Sequence, residues 1–342
     1  MRGVAGDVAL AVVPVLAALV LSGGVLWLLG TDPLEYYAYV ARRGLLTPSG
    51  LQATVTRMAP LLLVAAGLIL AFRTGLWNLG SDGQFMLGAT AAAVVAPPLA
   101  EVVPGWAALG LGALAAMVAA ALWSLLPALL KARAGVNEIV TTLMMSFLGL
   151  SLANALVKLV FLDPGTTVPQ TRTLAVADRL PALPGTIVSG GVLIGLAAIV
   201  AVHLAMTRTA FGLKLRVVGA SPRAAIHAGL PVPLLTVAVF ALSAALIGLA
   251  GAVEVMGVLG NVRADWNPAY GLSVIPLVFL ARLNGFAAIV YVLLFSALQI
   301  GAESAARRLG VPAYFTLVLV ANLLIVLAVV EYGTQRRRPA WT

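Results

Sequence analysis

The stretch Thr207-Arg208-Thr209-Ala210-Phe211-Gly212-Leu213-Lys214-Leu215-Arg216-Val217-Val218-Gly219-Ala220-Ser221-Pro222-Arg223-Ala224-Ala225-Ile226-His227-Ala228-Gly229-Leu230-Pro231-Val232 is basic and contains no Asp or Glu. It separates two apolar runs, Ile187–Met206 and Pro233–Met256. Each run is about the 20 residues that a helix needs to cross a bilayer. A basic island between two such runs is how a polytopic membrane protein builds a loop. The fold it implies is all-α and integral to the membrane. Inside the island, Ser221 can cap a helix, Pro222 suits the first helical position and Gly229 suits the position just past the end. A helix of about two turns is marginal alone in water. It is either a stray helical turn in a loop or a docking helix on which a cytoplasmic partner pushes.

Composition agrees with the membrane reading. Of 342 residues, 62% are hydrophobic and only 10% are charged, too few to solvate the surface of a soluble protein. The net charge of +9 sits in the links between apolar runs, so it is not a nucleic-acid patch. With no cysteine, disulfide and thiolate chemistry are excluded. His203 and His227 are too few for a histidine-built metal site. The apolar stretch after Arg2 reads as a retained first span rather than a cleaved signal.

Working outward gives ten candidate spans: Val8–Gly30, Thr54–Phe72, Gln84–Ala100, Trp106–Leu130, Asn137–Leu162, Ile187–Met206, Pro233–Met256, Gly271–Ala281, Phe286–Glu303 and Ala313–Val330. The eighth is too short to cross as a simple helix and reads as a half-span or re-entrant element. Counted as ten crossings, the set puts both termini on one side, and the larger share of Lys and Arg puts that side, with loop 207–232, in the cytoplasm. No link is long enough to hold a separate folded domain. The longest, Asp163–Thr186, has four prolines and room for a short surface helix. An inverted structural repeat can hide in such a set of spans.

Two polar segments stand out. Gly75-Leu76-Trp77-Asn78-Leu79-Gly80-Ser81-Asp82-Gly83-Gln84 interrupts two apolar spans with three glycines and four polar side chains. Non-helical backbone at membrane depth must be buried in protein or line a wet cavity; otherwise this is a cytoplasmic turn capped by Asn78 and Asp82. In Gly135-Val136-Asn137-Glu138-Ile139-Val140-Thr141-Thr142-Leu143-Met144-Met145-Ser146, Asn137 and Glu138 open a span, where a carboxylate suits the helix dipole. Glu138, Thr142 and Ser146 share one stripe, which should face the bundle interior. Asn78, Asp82, Gln84, Asn137, Glu138, Thr142 and Asn154 are the candidates to line a solute pathway. Lys158 lies near a span end and can snorkel. Glu254 with Asn261, Arg263, Asp265 and Asn267 forms either the mouth of a pathway or a solvated loop.

There is no Gly-x-x-x-x-Gly-Lys-[Ser/Thr] phosphate loop, no His-Glu-x-x-His and no Gly-x-Ser-x-Gly. No acid–base or nucleophile set can be assembled, so the sequence does not read as an enzyme. An ion-coupled carrier remains the alternative, with Glu138 and Glu254 as its only plausible in-span carboxylates.

The segments together resemble the permease subunits of bacterial ABC importers, in the group serving branched-chain amino acids, ribose and other simple sugars, and nucleosides. Asn78-Leu79-Gly80-Ser81-Asp82-Gly83-Gln84 is similar to that group's Asn-Ile-Gly-x-Glu-Gly-Gln motif. Arg216-Val217-Val218-Gly219-Ala220-Ser221-Pro222-Arg223-Ala224-Ala225 resembles its Arg-x-x-Gly-x-Asn-Pro-x-Ala-Ala coupling segment, with Ser for Asn. Gly135-Val136-Asn137-Glu138-Ile139-Val140-Thr141-Thr142-Leu143-Met144 resembles a stretch of the nucleoside and simple-sugar branch. The resemblance implies one transmembrane domain over residues 1–342, in a bacterial inner membrane. It implies coupling to a separate ATPase through Gly219, Ala220, Ser221, Pro222, Arg223, Ala224, Ala225 and Gly229. ATP and Mg²⁺ would bind that ATPase and no cofactor this chain. Further implied partners are a second permease (a paralogue or a second copy), a substrate-binding lipoprotein or periplasmic protein, and a nucleoside or simple sugar as the solute. A bulky residue at Ala225 is then expected to uncouple transport and leave expression intact.

Overall fold

The computed structural model describes residues 4–312 together with 315, 317–319, 321–322, 325–326 and 329; for 4–12 and 14 it describes the backbone alone. The helices are α1 (Val4–Leu28), α2 (Pro33–Ala41), α3 (Pro48–Arg73), α4 (Ser81–Ala100), α5 (Gly105–Ala134), α6 (Glu138–Ala155), α7 (Gly191–Arg208), α8 (Ala210–Ala220), α9 (Pro222–His227), α10 (Val232–Glu254), α11 (Tyr270–Leu280) and α12 (Gly285–Leu309). Helices α6 and α10 each run on into a five-residue π-turn. The described residues contain no strand beyond two isolated bridges.

Local chemistry explains the helix starts. Asp32 and Thr47 accept amide hydrogen bonds ahead of Pro33 and Pro48, which need no donor of their own at the first helical position. Asn137 and Asn284 cap α6 and α12 in the same way. Seven of the described helices are long and apolar enough to cross a membrane: α3, α4, α5, α6, α7, α10 and α12. With α1 and the eleven-residue α11 they account for the first nine expected spans, α11 being the half-span. Half of the tenth, 313–330, falls outside the described residues. In link 163–186 the short helix is a single 3₁₀ turn, Val176–Asp178.

Burial sets the order of the bundle. Of the apolar window of α3, 83% is buried; of that of α6, only 22% is. Helix α3 is hydrophobic all round and forms the centre, as such a helix must. On α6, Met144, Phe147 and Leu148 are exposed and Glu138, Thr142 and Ser146 are buried, so the polar stripe faces inward as expected. Small residues let α4, α5 and α10 approach closely. The backbone of Gly248 lies against Gly88 on one side and Ala116 on the other, and Gly251 lies against Phe85 and Ala89.

Two helices begin inside the bundle rather than at its surface. Asn78, in the non-helical elbow before α4, donates from Nδ2 to Ser243 Oγ at 3.0 Å. Ser243 lies eleven residues into α10, about 16 Å along it at the α-helical rise. The elbow therefore re-enters the bundle before α4 starts. Helix α11 starts beside Asp82 of α4 and ends with Phe279 stacked on Phe72, one residue from the end of α3. It runs opposite to α4. In both elbows an Asn three residues ahead of the helix bonds the amide two residues on: Asn78 Oδ1 to Gly80 N at 3.2 Å, and Asn267 Oδ1 to Ala269 N at 2.9 Å. Since α3 and α10 run in opposite directions, α3–α4–α5 and α10–α11–α12 form an inverted pair.

The close packing gives a test. A Cβ on Gly248 would lie 2.6 Å from Ala120 Cβ. Gly248→Val should destabilise the purified protein by about 1–3 kcal/mol, as overpacking does. Thermal melting in detergent reads it, and an unchanged midpoint would contradict the packing described.

Candidate functional site

Segment 207–232 is where local sequence signals dictate most. Ser221 Oγ accepts from Ala224 N at 3.2 Å, Pro222 opens α9, and Gly229 follows its end with φ of +74°. That left-handed backbone is one that glycine adopts without the steric cost a Cβ brings. The short helix does have a surface to pack against. Ala225 is fully buried and joins Leu215, Val218 and Leu235 in the main core. Pro222, Arg223, Ala224, Ile226 and His227 are exposed, as are Lys214 and Arg216 on α8.

This arrangement corrects one expectation. Ala225 points into its own chain, so a bulky residue there strikes the core and does not spare the fold. The outward apolar side chain is Ile226, 61% exposed. Sequence reasoning passed over it because helical spacing alone does not show which face of so short a helix is seated.

The Asn78–Gln84 segment is buried in protein. Asn78 Nδ2 donates to Gln84 Oε1 and to Ser243 Oγ, and its Oδ1 accepts from Gln84 Nε2 and Gly80 N, all within 3.0–3.2 Å. An Asn side chain has two donors and two acceptor sites, so Asn78 has no hydrogen-bonding capacity left for a solute in this conformation. Two groups of α6 secure the same segment: Thr142 Oγ1 accepts from Leu79 N, and Ser146 Oγ accepts from Gly83 N, both at 3.1 Å.

Asp82 joins the two interrupted helices. Its Oδ1 accepts from Gly271 N, the second residue of α11, at 2.7 Å. Only 5% of Asp82 is exposed. The carboxylate therefore sits in the first turn of its own helix and against the first turn of another, where two positive helix ends favour it. A Cβ on Gly271 would collide with Ser81 Oγ and Asp82 Oδ1, so glycine is what admits the contact.

The other candidates lie apart. Asn137 caps α6, and Glu138 forms an ion pair with Lys131 at 2.7 Å across the Gly135 turn. Asn154 lies towards the far end of α6 and accepts from Asp265 N at 2.7 Å. The structure thus brings together Asn78, Asp82, Gln84 and Thr142, and leaves Asn154 at the opposite side. Lys158 reaches Asp265 at 2.8 Å.

One cluster was signalled in the sequence by Glu254 alone, which is buried here rather than in a solvated loop. Arg57 Nη1 donates to Tyr270 OH at 2.9 Å, and Tyr270 OH donates to Glu254 Oε1 at 3.3 Å. Arg57 also pairs with Glu303 at 3.3 Å. Four helices meet there, from positions far apart in the chain, and the network satisfies charges that are costly at membrane depth.

Residues 50–327 match the family described as branched-chain amino acid transport system / permease component. The chain belongs to this family. The permease is 33% identical, over 95% of its own length and 88% of the relative's, to a protein of Haloferax volcanii named as a glucose ABC transporter permease. It is 28% identical, over 80% of each chain, to a guanosine ABC transporter permease protein of Bacillus subtilis. To a nucleoside ABC transporter permease protein of Lactococcus lactis it is 24% identical, over 88% of its own length and 85% of the relative's. Family membership favours an ABC permease over the ion-coupled carrier that the sequence left open.

The junction yields a graded test. Asp82→Ala leaves the Gly271 amide buried without an acceptor and should cost about 1–3 kcal/mol; Asp82→Asn keeps an oxygen there and should cost less. Melting of the purified variants checks the order, and equal stability of wild type and Asp82→Ala would refute the bond.

Proposed function

We propose that the permease translocates a nucleoside or a simple sugar inward across a bacterial inner membrane, driven by a separate ATPase seated on segment 207–232, with both termini on the ATPase side. The observation that carries this reading is the build of α9. It is a two-turn helix with its inner face seated in the core through Ala225, and its outer face offers Ile226 on the same short helix as the exposed Arg223 and His227. A seated helix with one outward apolar anchor fits a groove on a partner. Arg216 and Arg223 supply steering that should weaken with salt. ATP and Mg²⁺ bind the partner in this reading.

The relatives' names support glucose-like and nucleoside-like solutes, which share hydroxyl groups and lack net charge. A second permease, paralogous or identical, completes the pathway, and a binding protein delivers the solute to the far side. Asn78, Gln84 and Thr142 serve as the frame of that pathway, since their polar groups are already engaged with each other and with backbone.

Co-purification separates the two faces of α9. Ile226→Asp should express normally and lose about thirtyfold or more in affinity for the ATPase, the effect of losing a central anchor. Ala225→Leu should instead lower the yield of folded protein through overpacking. Full ATPase recovery with Ile226→Asp would sink the docking assignment. Uptake of radiolabelled guanosine and glucose by proteoliposomes holding the whole complex tests the solute class.

A further inference from the structure

We propose that the stroke of the coupling segment enters the bundle through a backbone contact between Gly219 and the elbow at Gly75, and that α11 is the element it moves. This rests on the ATPase docking proposed above and adds the route by which the docked helix acts. The contact is close. A Cβ on Gly219 would lie 2.9 Å from Arg73 O and from Thr74 C, and a Cβ on Gly75 would lie 3.3 Å from Gly219 Cα. Gly219 is one residue from the end of α8, and α9 follows after Ser221. Anything that displaces α9 presses this point on the end of α3.

From Gly75 the elbow reaches α11 at both of its ends. At the near end, the Trp77 ring lies 5.6 Å from that of Phe279, and Phe279 stacks on Phe72 at 5.1 Å. At the far end, Asp82 holds Gly271 N. Between them the elbow is braced against α6 by the Leu79–Thr142 bond and against α10 by the Asn78–Ser243 bond. The elbow and the start of α4 therefore clamp α11 by its first and last turns. A packed array of this kind shifts as a unit, because its contacts are not continuously deformable. Helix α11 has eleven residues and stops short of spanning the bundle; its start is tied to α3 and α10 by the Arg57–Tyr270–Glu254 network, so its last turn, at Phe279, is the end that the elbow moves.

The experiment uses the complete complex, with ATPase and cognate binding protein, in proteoliposomes, and measures transport per ATP hydrolysed. Gly219→Ala adds only the Cβ that the contact excludes. Trp77→Ala removes the link to Phe279 and leaves the glycine contact intact. Gly110→Ala is the control, since a Cβ there meets nothing within 4 Å. Trp77→Ala should assemble and hydrolyse ATP but transport about tenfold less per ATP, a size typical of lost coupling between sites; Gly219→Ala should lose at least as much transport per ATP, and Gly110→Ala should match wild type. Should Gly219→Ala fail to assemble, Trp77→Ala decides. An unchanged ratio in the assembled Gly219→Ala complex, or in Trp77→Ala, overturns the route. Absence of ATP-driven uptake in the wild-type complex would instead overturn the functional reading on which the route rests.

Discussion

The bond from Asp82 to the Gly271 amide is the contact on which the rest of the bundle depends. Interrupting a helix inside a membrane leaves backbone amides with no water to bind them. This chain interrupts two, and it places the starts of α4 and α11 side by side. One buried carboxylate then serves both, drawing stabilisation from its own helix end and from the neighbour's amide. Without that acceptor α11 would expose an unpaired donor in the protein interior. The residues around it follow from the same need. Gly271 admits the approach, Asn78 and Gln84 close the elbow, and Thr142 and Ser146 supply acceptors for its amides.

That need also explains the polar residues at membrane depth. A polar side chain in an apolar span invites the reading of a solute contact, yet Asn78 has all four of its hydrogen-bonding positions occupied by protein. The segment is a frame. A frame of hydrogen bonds is stiff and directional, which suits the proposed passage of a displacement from segment 207–232 to α11. The Arg57–Tyr270–Glu254 network fastens the start of α11 to α3 and α10 from the other side.

Much of this was legible in the sequence, and the reasons are local. Hydropathy runs of about 20 residues located the spans. Ser221, Pro222 and Gly229 spelled α9 because capping and left-handed closure act within a few residues. The stripe of Glu138, Thr142 and Ser146 was readable because helical periodicity alone puts the three on one face. What stayed hidden was long-range or depended on which face is seated. Asp82 meets Gly271 from 189 positions away. Arg57 lies near the start of an apolar span, and nothing local shows that Tyr270 and Glu303, more than 200 positions away, stand beside it. Ala225 and Ile226 are adjacent small and apolar residues, and only tertiary packing decides which one turns outward. Glu138 read as a helix-dipole partner; its pairing with Lys131 depends on the angle between α5 and α6.

Amide hydrogen exchange across residues 267–273, compared between wild type and Asp82→Ala in the purified permease, addresses the junction most directly. The account predicts that these amides are protected in wild type and exchange faster in Asp82→Ala, while 139–146 of α6 stay unchanged. Equal protection of 267–273 in both proteins would contradict the claim that one carboxylate holds the two interrupted helices together.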